Sequence, residues 1–243
     1  MKMKVFANRT SKEILRDPLS LIFGIGFPVV LILLLTAINR NIPTDMFNID
    51  QLTPGIAVFG LSFMSLFSAQ LIAKDRATSM LARLFTTPLS APDYILGYTL
   101  PLIPMALVQS IICYLVAFLL GMEMTTSVLL ALVMILPTSL VFIGIGLLCG
   151  SVLNEKAVAG VCGALLTNVT AWLSGTWFSL ELVGGTFKTV AYWLPFAHAV
   201  DMGKAALNGQ YSEMFPHFWW VLGYGVLFVF ISVVVFKKKL NTD

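Results

Sequence analysis

Charge is scarce in this chain. Of 243 residues, 15 are Lys or Arg and 12 are Asp or Glu, 11% in all against 58% hydrophobic, where a soluble domain carries about a quarter charged residues. Together with a mean hydropathy of +0.90, that shortage excludes an ordinary soluble domain and points to a membrane protein. Cysteine is sparse as well. Cys113, Cys149 and Cys162 lie in or at the ends of apolar runs with no CxxC spacing, which excludes a disulfide framework or zinc site and leaves three small packing residues. A phosphate cradle of the form GxxxxGK[ST] is missing: the only Gly-Lys pair, Gly203-Lys204, is followed by Ala205, so the chain is not expected to bind ATP in that way. The net charge of +3 and pI of about 8.8 come from basic residues beside apolar runs, not from a patch interleaved with aromatics. They speak for orientation in a membrane and against nucleic acid.

Apolar length is what the chain has in abundance. Six runs, at about 19–38, 54–73, 95–120, 128–149, 157–178 and 218–236, reach the roughly 17 to 25 residues needed to cross hydrocarbon. They must be helical, because lipid offers the backbone no hydrogen-bond partner. The fold expected is an all-α membrane protein with six transmembrane helices in a single transmembrane domain, 1–243. The first run follows a basic segment as a signal peptide would, but it is too long and no A-x-A site follows, so it reads as an uncleaved span. Pro101 and Pro104 are expected to kink or break the start of the third. Residues 179–217 are half apolar. Phe187, Val190, Ala191 and Leu194, then Val200, Gly203 and Leu207, follow helical spacing on either side of Pro195, which suggests one or two short helices lying in the outer interface or dipping partly into the membrane.

The flanking charges orient the spans. Twelve Lys and Arg fall on one side: Lys2, Lys4, Arg9, Lys12 and Arg16 before the first span, Lys74, Arg76 and Arg83 after the second, Lys156 after the fourth, and Lys237, Lys238 and Lys239 in the tail; three, Arg40, Lys188 and Lys204, fall on the other. The positive-inside rule then places both termini and the 74–93 loop in the cytoplasm.

All twelve acidic and all fifteen basic residues are expected outside the six cores. Ion-coupled carriers keep an ionisable group inside the membrane for the coupling it provides. With neither such a group nor a phosphate cradle, uphill transport would have to draw its energy from another polypeptide through a mechanical contact. An intramembrane enzyme or a scaffold is the competing class. Its best nucleophile is Ser174 in WLSGT, half of a rhomboid-type GxSG pattern, with His198 or His217 as base. Trp172 stands where that pattern has glycine, and both histidines lie outside the spans.

The 74–93 loop, KDRATSMLARLFTTPLSAPD, is polar and basic and holds its own amphipathic helix. Met80, Leu81, Leu84 and Phe85 recur at i, i+1, i+4 and i+5, with Arg76, Ser79 and Arg83 on the remainder, and Pro88 ends it. Two turns are too few to be stable alone in water, so the element should be held by packing against something. Residues 1–18 offer a second amphipathic element. Phe6, Thr10 and Ile14 fall at i, i+4 and i+8 with Lys4, Lys12 and Arg16 beside them, as expected of a helix along the cytoplasmic surface.

These residues resemble the permease subunits of ATP-binding-cassette type-2 transporters, the bacterial drug- and antibiotic-export kind in particular. In the loop, Asp75-Arg76 is followed by the helix from Met80 to Phe85 and then by Thr87-Pro88-Leu89-Ser90. The opening RTSKEILRDPLSLIFGIGFPVVL is similar to the family's start, with Arg16-Asp17-Pro18 leading to a first span that carries Pro28. YWLPFAHAVDMGKAALNG is similar to its outer segment before the last span. The family commonly has Gly-Thr ahead of the coupling helix, where this chain has Ser79-Met80.

The resemblance implies a cell-membrane protein with both termini inside, working with a second permease copy or paralogue and with two cytoplasmic ATPase subunits. Those subunits, not this chain, would hold ATP and its magnesium. It implies that Asp75, Arg76, Met80, Leu81, Arg83, Leu84, Phe85, Thr87, Pro88, Leu89 and Ser90 dock the ATPase. It further implies that the second and fifth helices face the pathway and the partner permease, through Phe63, Met64, Phe67 and Gln70 in one and Asn168, Trp172 and Trp177 in the other. Such an apolar, aromatic surface with isolated amides suits an amphipathic drug, antibiotic, peptide or lipid. Gly146 with Gly150, and Ala159 with Gly163, are small-xxx-small pairs expected to bring helices close.

Overall fold

A long apolar run has only itself to satisfy its backbone, and each of the six becomes a helix. The computed structural model describes residues 2–41, 48–78, 80 and 90–240, and the regular structure among them is all helical. Six stretches are long and apolar enough to span: Ile22–Asn39, Ile49–Ala77, Ala91–Leu119, Ser127–Val152, Glu155–Leu173 and Tyr211–Lys238. An amphipathic helix, Lys2–Leu15, precedes them.

The spans do not share burial equally. Of their most apolar windows, 89% is buried in the second and 61% in the fourth, but only 22%, 17% and 17% in the first, fifth and sixth. The second and fourth therefore form the centre of the bundle, and the other three present apolar side chains outward, among them Leu34, Leu165 and Phe230. That outward face is what hydrocarbon solvent permits, since lipid tails are as apolar as leucine. Polar side chains tie the centre together: the Ser68 hydroxyl bonds the Ile143 carbonyl at 3.3 Å, and Ser232 on the sixth span bonds the Gly144 carbonyl at 3.1 Å.

Small residues set the spacing. A Cβ added at Gly146 would collide with Ser68 Oγ and the Ser65 carbonyl, and one at Gly150 would lie 2.5 Å from the Ala69 carbonyl oxygen. The fourth span thus rests backbone-to-backbone on the second. Gly163 is different, because its nearest neighbour is a Leu66 methyl at 3.4 Å. The fifth helix still packs on the second span there, but that glycine meets a flexible side chain and no backbone.

Both chain ends lie at the same end of the bundle. Phe6 of the N-terminal helix sets its edge against Tyr94 at 5.7 Å, and Tyr94 in turn meets Phe236 of the last span at 5.6 Å. We call this end proximal and the opposite one distal.

Several boundaries depart from expectation. The second span begins at Ile49, five residues before Pro54, because Asn48 caps it by accepting from the Asp50 amide at 3.1 Å; Pro54 lies inside the helix, in its second turn. It continues past Ala73 to Ala77 with one turn-like step at Leu61, and this carries Asp75 into the bundle, 2% exposed. Asp75 lies past the expected core at 54–73, yet it is not exposed to solvent. The third span is one unbroken helix from Ala91 through Pro101 and Pro104 to Leu119, so of the kink or break expected at these prolines the break does not occur. The first and fifth spans contain π-helical turns, Ile22–Gly26 and Ala159–Leu166.

The fifth helix ends at Leu173, not Phe178, and Trp177 lies beyond it. Residues 174–178 fold back onto the second span, where the Thr176 hydroxyl donates to the Gly55 carbonyl at 3.2 Å. The distal segment then forms three helices instead of one or two: Leu180–Val183, Gly185–Trp193 and Pro195–Leu207. The last is packed into the bundle. Its residues from Pro195 to Val200 are all buried, and it packs against the second, fourth and sixth spans.

Candidate coupling site

A carboxylate removed from water costs several kcal/mol unless it is paired and hydrogen-bonded, and the surroundings of Asp75 meet that requirement in full. Arg9 clamps it with both ends of its guanidinium, Nη1 to Oδ2 at 2.6 Å and Nη2 to Oδ1 at 2.7 Å, and the Tyr98 hydroxyl donates to Oδ2 at 2.7 Å. Bidentate geometry of this kind is both strong and orientationally strict. The bond to Asp75 raises the pKa of Arg9, whose charge is permanent. Glu13 extends the network, binding Arg9 at 2.8 Å and Lys74 at 3.3 Å. Asp75 thereby joins the N-terminal helix, the second span and the third span at one point.

The N-terminal helix is seated there by shape as well. Its Phe6, Thr10 and Ile14 are buried, as their spacing predicts, and the helix packs against the third span. Phe6 fills a notch at Gly97, where any Cβ would strike its ring, with Tyr98 edge-on at 4.9 Å.

Arg76 points the other way. Its Nη1 donates to the carbonyls of Gly150 at 2.9 Å and Leu153 at 3.1 Å, placing a cation at the C-terminal end of the fourth span, where unpaired carbonyls and the helix dipole favour one. Two successive side chains thus fasten the last turn of the second span to three other helices. On the far side of the loop, the Ser90 amide and hydroxyl bond the Asp93 carboxylate at 2.9 and 2.6 Å and fix the start of the third span.

The expected docking residues therefore divide. Asp75 and Arg76 turn inward and are engaged by this chain, Ser90 is an exposed helix cap, and Met80 is helical and half-buried. Leu81, Arg83, Leu84, Phe85, Thr87, Pro88 and Leu89 lie outside the described residues. Arg9 and Tyr98 are not legible from local pattern; the available signal is an aspartate two residues beyond an apolar run, which needs partners from elsewhere in the chain.

The residues expected along the pathway also divide. Phe59, Phe63 and Phe67 recur every four residues down one face of the second span, with ring centroids 6.2 and 6.5 Å apart. Phe23 and Phe27 of the first span meet Phe63 at 6.3 and 5.7 Å, and Trp177 closes the distal end on Phe59 at 5.4 Å. Phe63, Phe67 and Trp177 are thus parts of one aromatic ladder. Met64 is fully buried, and Gln70 lines a cavity at the proximal end. Asn168 and Trp172 stand apart on an exposed face of the fifth helix, where Asn168 bonds only its own Ala164 carbonyl at 2.8 Å and Trp172 is 59% exposed.

The hydrolytic alternative finds no pairing among the described residues. The Ser174 hydroxyl meets Thr176 Oγ1 at 2.7 Å, whereas His198 is bonded to His217 and to the Tyr192 carbonyl. A nucleophile needs a base within hydrogen-bond reach, and Ser174 has none there.

Comparison with known proteins agrees with this architecture. The chain is 28% identical over 199 residues to ABC transporter G family member 20 of Dictyostelium discoideum, an alignment covering 79% of this chain and 27% of that protein. It therefore spans about a quarter of that relative's length. Residues 1–207 match the ABC-2 type transporter family, and on that match, with six membrane-crossing helices behind it, the chain belongs to the ABC-2 type transporter membrane family.

Proposed function

We propose that the chain is the permease half of an ATP-driven exporter in a bacterial cell membrane, with both termini in the cytoplasm. It would pair with a second permease, identical or paralogous, and be driven by two separate ATPase subunits that hold the nucleotide and magnesium. The observation that carries this reading is the fastening of the docking loop's entry. Asp75 and Arg76 tie the residues just before it to the N-terminal helix and to the third and fourth spans. A push on the loop from Met80 to Ser90 would then move a connected group of helices and not a slack linker, as a subunit worked from outside itself requires. The cargo we favour is an amphipathic drug, antibiotic, peptide or lipid, since the ladder from Phe67 to Trp177 is apolar and aromatic. The outward direction rests on the resemblance to bacterial export permeases, and the orientation on the distribution of Lys and Arg.

The test is reconstitution with the cognate ATPase in vesicles. Substituting Leu84→Asp together with Phe85→Asp should abolish cargo-stimulated ATP hydrolysis and transport while leaving membrane insertion intact. Transport at the unsubstituted rate would rule out the docking role.

A further inference from the structure

At the proximal end a cavity of about 1240 Å³ opens between the N-terminal helix, the second span and the start of the fifth. Its lining is two-sided in character. The mouth carries five cations, Arg9, Lys12, Arg16, Lys74 and Lys156, against three carboxylates, Glu13, Asp17 and Glu155. Arg9 and Lys74 are already committed to Asp75 and Glu13. Lys12, Arg16 and Lys156 are exposed and form no ion pair with a described residue. Below them the wall turns apolar, with Ile14, Phe67 and Leu71. Phe67 lies ten residues and Gln70 seven before the helix end at Ala77, so the cavity reaches roughly 10 to 15 Å down the second span. Gln70 lines that deeper part and has no hydrogen-bond partner among the described residues.

Three uncommitted cations above an apolar shaft match one ligand chemistry: a phosphate-bearing anion joined to a hydrocarbon chain. We infer that this cavity is a binding site for an anionic phospholipid, with its headgroup phosphate among Lys12, Arg16 and Lys156 and its glycerol and upper acyl chain against Gln70, Leu71 and Phe67. Basic pockets between membrane helices hold anionic headgroups by the same complementarity. A zwitterionic lipid gains less here, because its own cation meets three basic side chains against two carboxylates, Asp17 and Glu155. The inference does not depend on the transport reading, since it needs only the cavity and its charges.

Native mass spectrometry of the delipidated protein in neutral detergent tests it. The probes are phosphatidylglycerol and phosphatidylcholine with identical chains, and glycerol 3-phosphate as the chainless control. The unsubstituted protein should retain phosphatidylglycerol well above phosphatidylcholine. Each of Lys12→Gln, Arg16→Gln and Lys156→Gln should weaken that retention by roughly fivefold, and the triple variant on the order of a hundredfold. Lys237→Gln, a cation at the same end but outside the cavity, should change nothing. All four side chains are exposed, so the variants are expected to fold. Equal retention of the two lipids, or undiminished phosphatidylglycerol binding by the triple variant, would overturn the site. Displacement of phosphatidylglycerol by equimolar glycerol 3-phosphate would overturn its assignment to a lipid.

Discussion

Arg9 and Asp75, 66 positions apart in the chain, meet through two parallel hydrogen bonds of 2.6 and 2.7 Å. The pair is the fastening between an amphipathic surface helix and the centre of a membrane bundle. Its exposure is uneven, since the Asp75 side chain is 3% exposed and that of Arg9 is 29%. The carboxylate is therefore the partner that cannot be left alone.

Asp75→Ala leaves the Tyr98 hydroxyl without its acceptor and Arg9 with Glu13 as its remaining anion. A loss of about 3 kcal/mol is expected, toward the low end for a broken buried pair because Arg9 keeps some contact with water. Unfolding of Asp75→Ala, Arg9→Ala and the double variant in detergent should show a coupling of more than about 1 kcal/mol. Simple additivity would mean that the two residues act separately.

Arg76→Ala removes the cation from the end of the fourth span and frees the carbonyls of Gly150 and Leu153. We expect destabilisation of about 1 to 2 kcal/mol, with faster amide exchange confined to the last turn of that helix. The Arg76→Lys variant should recover part of the effect as a charge but not the two-carbonyl geometry. Unchanged exchange around residues 149–153 would show that the cap is not holding the helix end.

Gly146→Ala and Gly150→Ala should each cost about 1 to 3 kcal/mol by forcing the second and fourth spans apart. Gly163→Ala, which meets only a Leu66 methyl, should stay within about 0.5 kcal/mol of the parent. Thermal unfolding of the three variants side by side distinguishes a backbone contact from a spacing pattern that merely looks like one.

The histidine pair predicts a pH dependence. His198 Nε2 faces the Tyr192 carbonyl at 2.9 Å and must donate to it, so in the neutral ring Nδ1 accepts from His217 Nδ1 at 2.7 Å. Burial, between Tyr192 and a Trp220 ring stacked at 5.1 Å, holds the His198 pKa below its ordinary 6.5; His217 also lowers it, while Asp201 and the Tyr192 carbonyl oppose the shift. The unfolded chain then takes up the proton first. Stability should be complete above about pH 6.5 and decline as pH falls through the window below it. Melting curves between pH 5 and 8 should flatten in His198→Gln. An unchanged slope would assign the dependence to other groups.

Phe6, Thr10 and Ile14 illustrate how far local pattern reaches. Their spacing fixes a helix and the face it must bury, and nothing in it says that the covering surface is Tyr94, Gly97 and Tyr98 of the third span and not lipid. At Pro101 and Pro104 the missing amide hydrogen bonds do not interrupt the helix, which runs from Ala91 to Leu119; the spacing of prolines in a sequence gives a local cost and not whether the surrounding turns outweigh it. Trp177 was placed in a helix because apolar residues continue past Leu173, although Gly175 adopts φ +71° and turns the chain back.

Six crossings, a common end for both termini and an all-helical backbone were settled by the sequence alone, since an apolar run of twenty residues has a single way to bury its amides in lipid. The tertiary structure decided which charges are truly exposed. Asp75 sits two residues beyond an apolar run and looks solvated in the sequence, yet Arg9 and Tyr98 converge on it from distant positions and make it the buried centre of the proximal end. Hydrophobicity is a property of the residue and can be read one position at a time. Pairing is a property of two, and only the folded chain brings them together.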